Sequence, residues 1–127
     1  MTFTYDHTYE GLLTVIFETY RLKAVATRIV PVEEWQPNFF DEPTYVETNI
    51  TYANRVLNGM RKRSGVAITR LMYRTFLSEQ QDIEMLIYDL VRQAMSSSQS
   101  ILDNFADDTV RQMHELSKKI GREVHRM

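Results

Sequence analysis

Ile83-Glu84-Met85-Leu86-Ile87-Tyr88-Asp89-Leu90-Val91-Arg92-Gln93-Ala94 is the stretch that decides the fold class. Its apolar residues Ile83, Leu86, Ile87, Leu90, Val91 and Ala94 recur at i, i+3, i+4, i+7, i+8 and i+11, the repeat of a helix with one face against a core. Asp82, Glu84 and Asp89 border the stripe and are expected on its wet side. The same rhythm extends towards the N-terminus. Ala67, Ile68, Leu71, Met72 and Phe76 predict a helix capped by Ser64, and Ala53, Val56, Leu57 and Met60 predict another, ended by Arg61-Lys62-Arg63-Ser64-Gly65. A first helix is expected from about His7 to Lys23, with Asp6 as N-cap, Glu10 in the first turn, and Tyr9, Leu12, Leu13, Ile16, Phe17 and Tyr20 on one face. Towards the C-terminus, Ser96-Ser97-Ser98-Gln99-Ser100 breaks the pattern. Ile101, Leu102 and Phe105 then predict a short helical turn, and Asp107 and Asp108 are placed to cap a final helix from Thr109. Val110, Met113, Ser117, Ile120, Val124 and Met127 give that helix a narrow seam, which reads as packing within the protein because fewer than three heptads are present.

Two segments depart from the helical rhythm. Thr2-Phe3-Thr4-Tyr5 alternates and predicts a short edge strand. Residues 24–48 hold all three prolines, Pro31, Pro37 and Pro43, yet also Ile29-Val30, Trp35, Phe39-Phe40 and Tyr45-Val46. A solvated linker would not carry the only Trp and two adjacent Phe residues, so an extended arm with one or two short strands is expected to pack over the helices. Its acids, Glu33, Glu34, Asp41, Glu42 and Glu47, argue against this face meeting DNA. The expected architecture is mainly α: five or six helices in an irregular bundle, with a short extended or β N-terminal arm, as one domain over residues 1–127.

Composition narrows the function classes. At 43% hydrophobic, 25% charged and 11% aromatic, the chain reads as an ordinary globular domain. It has no cysteine, hence no disulfide, thiolate zinc site or cysteine nucleophile. No apolar run reaches the roughly 18–20 residues of a membrane span, and Met1-Thr2-Phe3-Thr4-Tyr5-Asp6 lacks the order of a signal peptide. The expectation is a cytoplasmic protein with no membrane contact.

The net charge of −2 is unevenly spread. Residues 1–50 hold eight acids and three bases, and residues 51–127 hold nine acids and twelve bases. Eleven of the fifteen bases are Arg, whose planar fork suits phosphate and carboxylate. On a wheel of about 100° per residue, Arg111, His114, Lys118, Gly121, Arg122 and His125 of the final helix occupy a sector of roughly 100° beside the seam, with Glu115 at its border. Gly121 costs about 1 kcal/mol relative to Ala in a helix interior. A close approach by a partner backbone or a phosphate would explain its presence, and so would a neighbouring helix packed over it.

Other chemistries find little support. His114 and His125 lie eleven residues apart, roughly 16 Å along a helix axis, too far to share an ion, so no metal site is expected. Glu79 reads as partly buried, in a structural ion pair with Arg70 or Arg74. Tyr73 and Phe76 interleave with those arginines as a base-stacking surface would, but aromatic residues at helical spacing read first as core. There is no GK[ST], glycine-rich phosphate loop, G-x-S-x-G or H-E-x-x-H, and no cofactor or catalytic set is expected of this chain alone.

Leu116-Ser117-Lys118-Lys119-Ile120-Gly121-Arg122-Glu123-Val124-His125-Arg126-Met127 resembles the bacterial "probable DNA metabolism protein" family of unknown function. Tyr5-Asp6, Glu10-Gly11-Leu12-Leu13, Phe17-Glu18, Tyr20, Arg28-Ile29-Val30-Pro31, Gln36-Pro37 and Phe76-Leu77-Ser78-Glu79 carry the resemblance over nearly the whole chain. It implies a link to a DNA modification or repair radical-SAM protein and, in some members, fusion ahead of a uracil-DNA glycosylase-like domain. It supplies no catalytic residues. The sequence departs from the family at His7, where a small residue is expected, and at Met127, past which members usually continue. The chain therefore reads as the N-terminal part of a longer family domain. A seam left partly uncovered would promote self-association. The resulting expectation is an accessory domain of bacterial DNA metabolism, binding nucleic acid or a partner through Arg111, His114, Lys118, Gly121, Arg122, His125 and Arg126. The alternatives are an adapter for a radical-SAM or glycosylase-like protein without DNA contact, and an enzyme completed by a C-terminal half.

Overall fold

The computed structural model describes residues 1–36 and 42–96. They are mainly helical. In chain order they give β1 (Thr2–Tyr5), α1 (Tyr9–Arg21), β2 (Arg28–Pro31), a 3-10 turn (Val32–Glu34), β3 (Thr44–Tyr45), α2 (Ile50–Ser64), α3 (Val66–Leu77) and α4 (Ile83–Ser96). Four α-helices are thus present among the described residues, where five or six are expected for the chain. The expected turn at Ile101–Phe105 and the helix from Thr109 lie outside the described residues. Two compact units divide within α2, one ending at Leu57 and the other beginning at Asn58.

The first unit is built on a three-stranded, all-parallel sheet of order β2-β1-β3. β1 is therefore the central strand, not the edge strand expected. Thr2 pairs with Arg28 and Tyr5 with Pro31 on one side, while Phe3 pairs with Thr44 on the other. All four β1 residues are buried, the threonines with the aromatics. A central parallel strand is covered on both faces, so alternation in its sequence does not mean that one face is wet. Ile29 and Val46 are buried beside it, and the arm supplies its strands as the reading of Ile29-Val30 and Tyr45-Val46 requires. Trp35 is half-buried.

α1 is buried more widely than a single stripe. Leu12, Leu13, Val15 and Ile16 have no exposed surface, and Gly11, Thr14 and Thr19 are buried with them. Its N-cap is Thr8, not Asp6: Thr8 sits at φ −101°, ψ 155°, and its hydroxyl accepts from the Gly11 N–H at 3.0 Å. Such a cap contributes about 1 kcal/mol. The helix ends at Arg21. Lys23 takes a left-handed φ of 54°, and the Ala24 N–H turns back to the Thr19 carbonyl at 2.9 Å. Thr14 ties α1 to the entrance of α2 by donating to the Glu10 carbonyl (2.7 Å) and accepting from the Asn49 N–H (3.1 Å). Asn49 in turn accepts from the Tyr52 N–H at 3.2 Å, satisfying a donor of the first turn. The Phe17 and Tyr52 rings stack with centroids 4.2 Å apart.

In the second unit α3 packs on α4. Ile68, Leu71, Met72 and Thr75 form the buried side of α3. On α4, Ile83, Ile87, Leu90, Val91 and Ala94 are buried as the periodicity requires, and Asp82 and Asp89 are exposed. Glu84 differs: it is 8% exposed and joins the buried side with Tyr88. The apolar stripe of α4 is flanked on that edge by covering groups rather than by water. Each fully buried aliphatic side chain contributes roughly 1.5–3 kcal/mol of transfer free energy. Ser64 does not cap α3. It closes α2, and Gly65 is the N-cap of α3, with φ 86°, ψ 174° and no side-chain hydrogen bond. That conformation is almost confined to glycine, and it lets two helices meet across a single residue. Among the described residues no helix is long and apolar enough to cross a membrane.

Candidate functional site

Arg111, His114, Lys118, Gly121, Arg122, His125 and Arg126 all lie outside the described residues. Two other places within them concentrate polar and charged groups.

The first is the carboxyl edge of the sheet. In open parallel sheets the loops leaving neighbouring strands on opposite sides of a central one frame the usual ligand crevice. Here those loops carry Asp6, His7 and Thr8 behind β1, Glu33 behind β2 and Thr48 behind β3. Asp6 is committed to structure. Its Oδ1 accepts from Thr8 N (3.1 Å) and Thr8 Oγ1 (2.6 Å), and its Oδ2 accepts from Thr48 Oγ1 (2.6 Å). Burial pushes the Asp6 carboxyl up, but the hydrogen bonds from Thr48 and Thr8 outweigh it and hold the pKa below its ordinary value. Gly11 makes room for this node: a Cβ there would overlap Asp6 Oδ1 and come within 2.9 Å of Thr8 Oγ1 and 3.0 Å of Thr48 Oγ1. His7 Nδ1 lies 2.7 Å from Glu33 Oε1. The Glu33 carboxyl is lowered first by its own backbone N–H and second by His7. His7 holds a left-handed φ of 66°, a conformation that histidine takes more readily than most side chains. The edge is a set of caps and cross-ties, and among the described residues no three metal-ligating side chains gather here or elsewhere.

The second place is α2–α3. Thr48–Ser78 contains six bases, Arg55, Arg61, Lys62, Arg63, Arg70 and Arg74, and no Asp or Glu. All six are exposed. Part of this charge has a structural use, since Arg61, Lys62 and Arg63 occupy the last turn of α2 and complement the negative end of its dipole. Arg74 occupies the last turn of α3 in the same way, and Arg70 lies in the middle of that helix. At about 100° per residue the buried residues of α3 centre on Ile68. Val66, Ala67, Arg70, Tyr73, Arg74 and Leu77 lie on the opposite side, and all are exposed. Val66, Tyr73 and Leu77 expose 47%, 46% and 47% of their surface. The outer face of α3 is therefore two arginines and an aromatic ring set among aliphatic groups, with no acid on the helix.

Tyr73 thus corrects the core assignment, while Phe76 is half-buried and sits between the two faces. Glu79 is exposed, with a left-handed φ of 51°, rather than partly buried beside an arginine. The signal that reveals this place is the run of residues without an acid, which a charge balance taken over residues 51–127 averages away.

Residues 81–127 match a family model described as a domain of unknown function (DUF4130). No curated protein and no solved structure matches the chain. The match supports an unknown-function domain family and brings no activity, ligand or partner with it.

Proposed function

We propose that this chain is a nucleic-acid-binding accessory domain of bacterial DNA metabolism, holding the phosphate backbone with arginines of α2 and α3. The observation that carries the reading is the acid-free stretch Thr48–Ser78 with its six exposed bases. Uniform sign over thirty-one residues differs from the interspersed charge of an ordinary solvated surface and favours a polyanion as ligand. The acids of the arm, by the same logic, argue against that segment meeting the ligand. Arg111, Lys118 and Arg122 would extend the contact, with Gly121 permitting close approach and His114, His125 and Arg126 beside them. The bacterial DNA-metabolism setting, and a radical-SAM or uracil-DNA glycosylase-like partner, come from the sequence resemblance.

The test is binding of the whole chain to short single- and double-stranded DNA, with and without uracil, at about 50 and 200 mM salt. Affinity should fall steeply between the two salts and should be lost when Arg61, Lys62, Arg70 and Arg74 are replaced together by alanine. A companion variant replacing Arg111, Lys118 and Arg122 reports on the final segment. The adapter reading is favoured by one observation, the exposed apolar surface of Val66, Tyr73 and Leu77. Absence of binding at 50 mM salt would make it the better description.

A further inference from the structure

We infer that Asn58 is a site of spontaneous deamidation, reached by local opening of α2, and that the carboxylate so formed neutralises the middle of the basic run. Asn58 is the only asparagine of the chain followed by glycine, and it is exposed on α2. That pairing carries a definite chemistry. The Gly59 amide nitrogen attacks the Asn58 side-chain carbonyl carbon and a ring carbon–nitrogen bond forms. The side-chain amide group leaves as ammonia, taking the proton that the backbone nitrogen gives up. Water then opens the five-membered imide at either carbonyl, leaving aspartate or isoaspartate. Glycine has no Cβ to obstruct the attack.

An intact helix suppresses the reaction, because it commits the Gly59 N–H to the carbonyl four residues before. At this point α2 is weakly held. Both residues lie in the interior of Ile50–Ser64, where glycine costs about 1 kcal/mol and asparagine up to about 0.7 kcal/mol relative to alanine. The two compact units also divide between Leu57 and Asn58, and local openings follow the limits of such units. Among the described residues, the group nearest a Cβ built at Gly59 is Cε of Met95, at 3.0 Å, the end of a flexible side chain. Two other asparagines set the contrast: Asn54 precedes Arg55, and Asn49 precedes Ile50 and is engaged by the Tyr52 N–H.

The position gives the product a consequence, and this part rests on the nucleic-acid reading above. Arg55 and Arg61 stand three residues to either side of Asn58, and Lys62 four residues on, so all three share its side of the helix. A carboxylate at position 58 is the first acid within Thr48–Ser78 and draws these bases into pairs, away from phosphate.

The experiment holds the whole chain at about pH 8 and about 37 °C for several weeks and follows each asparagine-containing peptide by mass spectrometry, which reads a gain of about one dalton. Asn58 should convert to a mixture of aspartate and isoaspartate while Asn54 and Asn49 remain intact. Gly59→Ala should slow the conversion, since a methyl group obstructs the attack and alanine firms the helix. Asn58→Gln should stay unmodified, and thermal midpoints show that both variants fold. Urea separates the two routes to reaction. Below the unfolding transition a rate through local opening is nearly flat, because little surface is exposed, whereas a rate through global unfolding rises steeply. An Asn58 that survives as well as Asn54, or that converts only with the steep urea dependence, overturns the inference. Asn58→Asp stands in for one product. At about 50 mM salt it should bind DNA about 3- to 10-fold more weakly than wild type, with a salt slope smaller by about one, and Asn58→Gln should bind as wild type does. Equal binding by Asn58→Asp and wild type overturns the consequence for the ligand. If wild type binds no DNA at low salt, the nucleic-acid reading fails and that consequence with it, while the mass spectra still decide the modification.

Discussion

The Thr48 hydroxyl donates to Oδ2 of Asp6 across 2.6 Å, so the segment that leaves β3 is fastened to the residue that follows β1. The same carboxylate holds Thr8, and Thr8 caps α1. One side chain therefore fixes the exit of the central strand, the start of the first helix and the approach to α2.

Asp6→Asn keeps the shape of the side chain and removes its charge, and should cost about 1 kcal/mol at pH 7. The pH dependence gives the sharper check. The folded-state pKa of Asp6 is lowered, so its stabilisation is present above the unfolded-chain value of about 3.9 and disappears as pH falls through the lower folded value. Urea midpoints of the wild type should fall more steeply below about pH 4 than those of Asp6→Asn, with a constant gap from pH 5 to 8. Parallel curves through the acid range would remove Asp6 from this role.

Gly11→Ala ordinarily gains about 1 kcal/mol in a helix. Here the new methyl group would meet Asp6, Thr8 and Thr48, so the substitution should destabilise instead. In an Asp6→Gly background the closest of these contacts is gone, and the loss on adding Gly11→Ala should shrink. A double-mutant cycle read by chemical denaturation measures the coupling, and additive losses would contradict the proposed crowding.

Gly65 has open space around its Cα but a backbone of φ 86°, ψ 174°. Gly65→Ala should cost roughly 1–3 kcal/mol from strain alone. Gly65→Asn should cost about as much, because asparagine tolerates left-handed helical geometry but not this more extended region. A clear rescue by Asn in thermal unfolding would mean that the connection relaxes to an ordinary turn.

The Glu33 carboxyl is held down first by its own backbone and only then by His7. His7→Ala should therefore raise the Glu33 titration midpoint part of the way to that of a free glutamate, read from its side-chain carbon shift. A full return would make His7 the main cause. Global stability should change little, as exposed ion pairs contribute between nothing and about 1 kcal/mol.

The helices were legible because burial repeats in their sequences: Leu12, Leu13 and Ile16, or Ile87, Leu90 and Val91, can share a face only as helix. Asp6 and Thr8 are both capping-type residues and stand two positions apart, so residue type alone does not decide between them; the Thr8 hydroxyl is the group that reaches the Gly11 N–H. β1 looked like an edge because Thr2 and Thr4 are polar, whereas threonine is equally suited to a strand covered on both sides. Charge alone points Glu84 to water, although a glutamate stem beside an apolar stripe is readily covered by its neighbours. Tyr73 reads as core by residue type, yet its spacing places it opposite the buried Ile68. The arginines beside it were the better guide, because they mark the wet side of the same turn.

The parallel placement of β1 between β2 and β3 also bears on how the protein is made. Phe3 leaves the ribosome before Ile29 and Thr44, the residues it pairs with. At synthesis rates of about 5–20 residues per second, roughly 2–8 s separate the appearance of Phe3 from that of Thr44. During that interval Phe3 and Tyr5 have no completed sheet to enter. The two aromatic rings of β1 must be sheltered in the nascent chain until Thr44 emerges, an interval in which exposed apolar surface is open to off-pathway contacts.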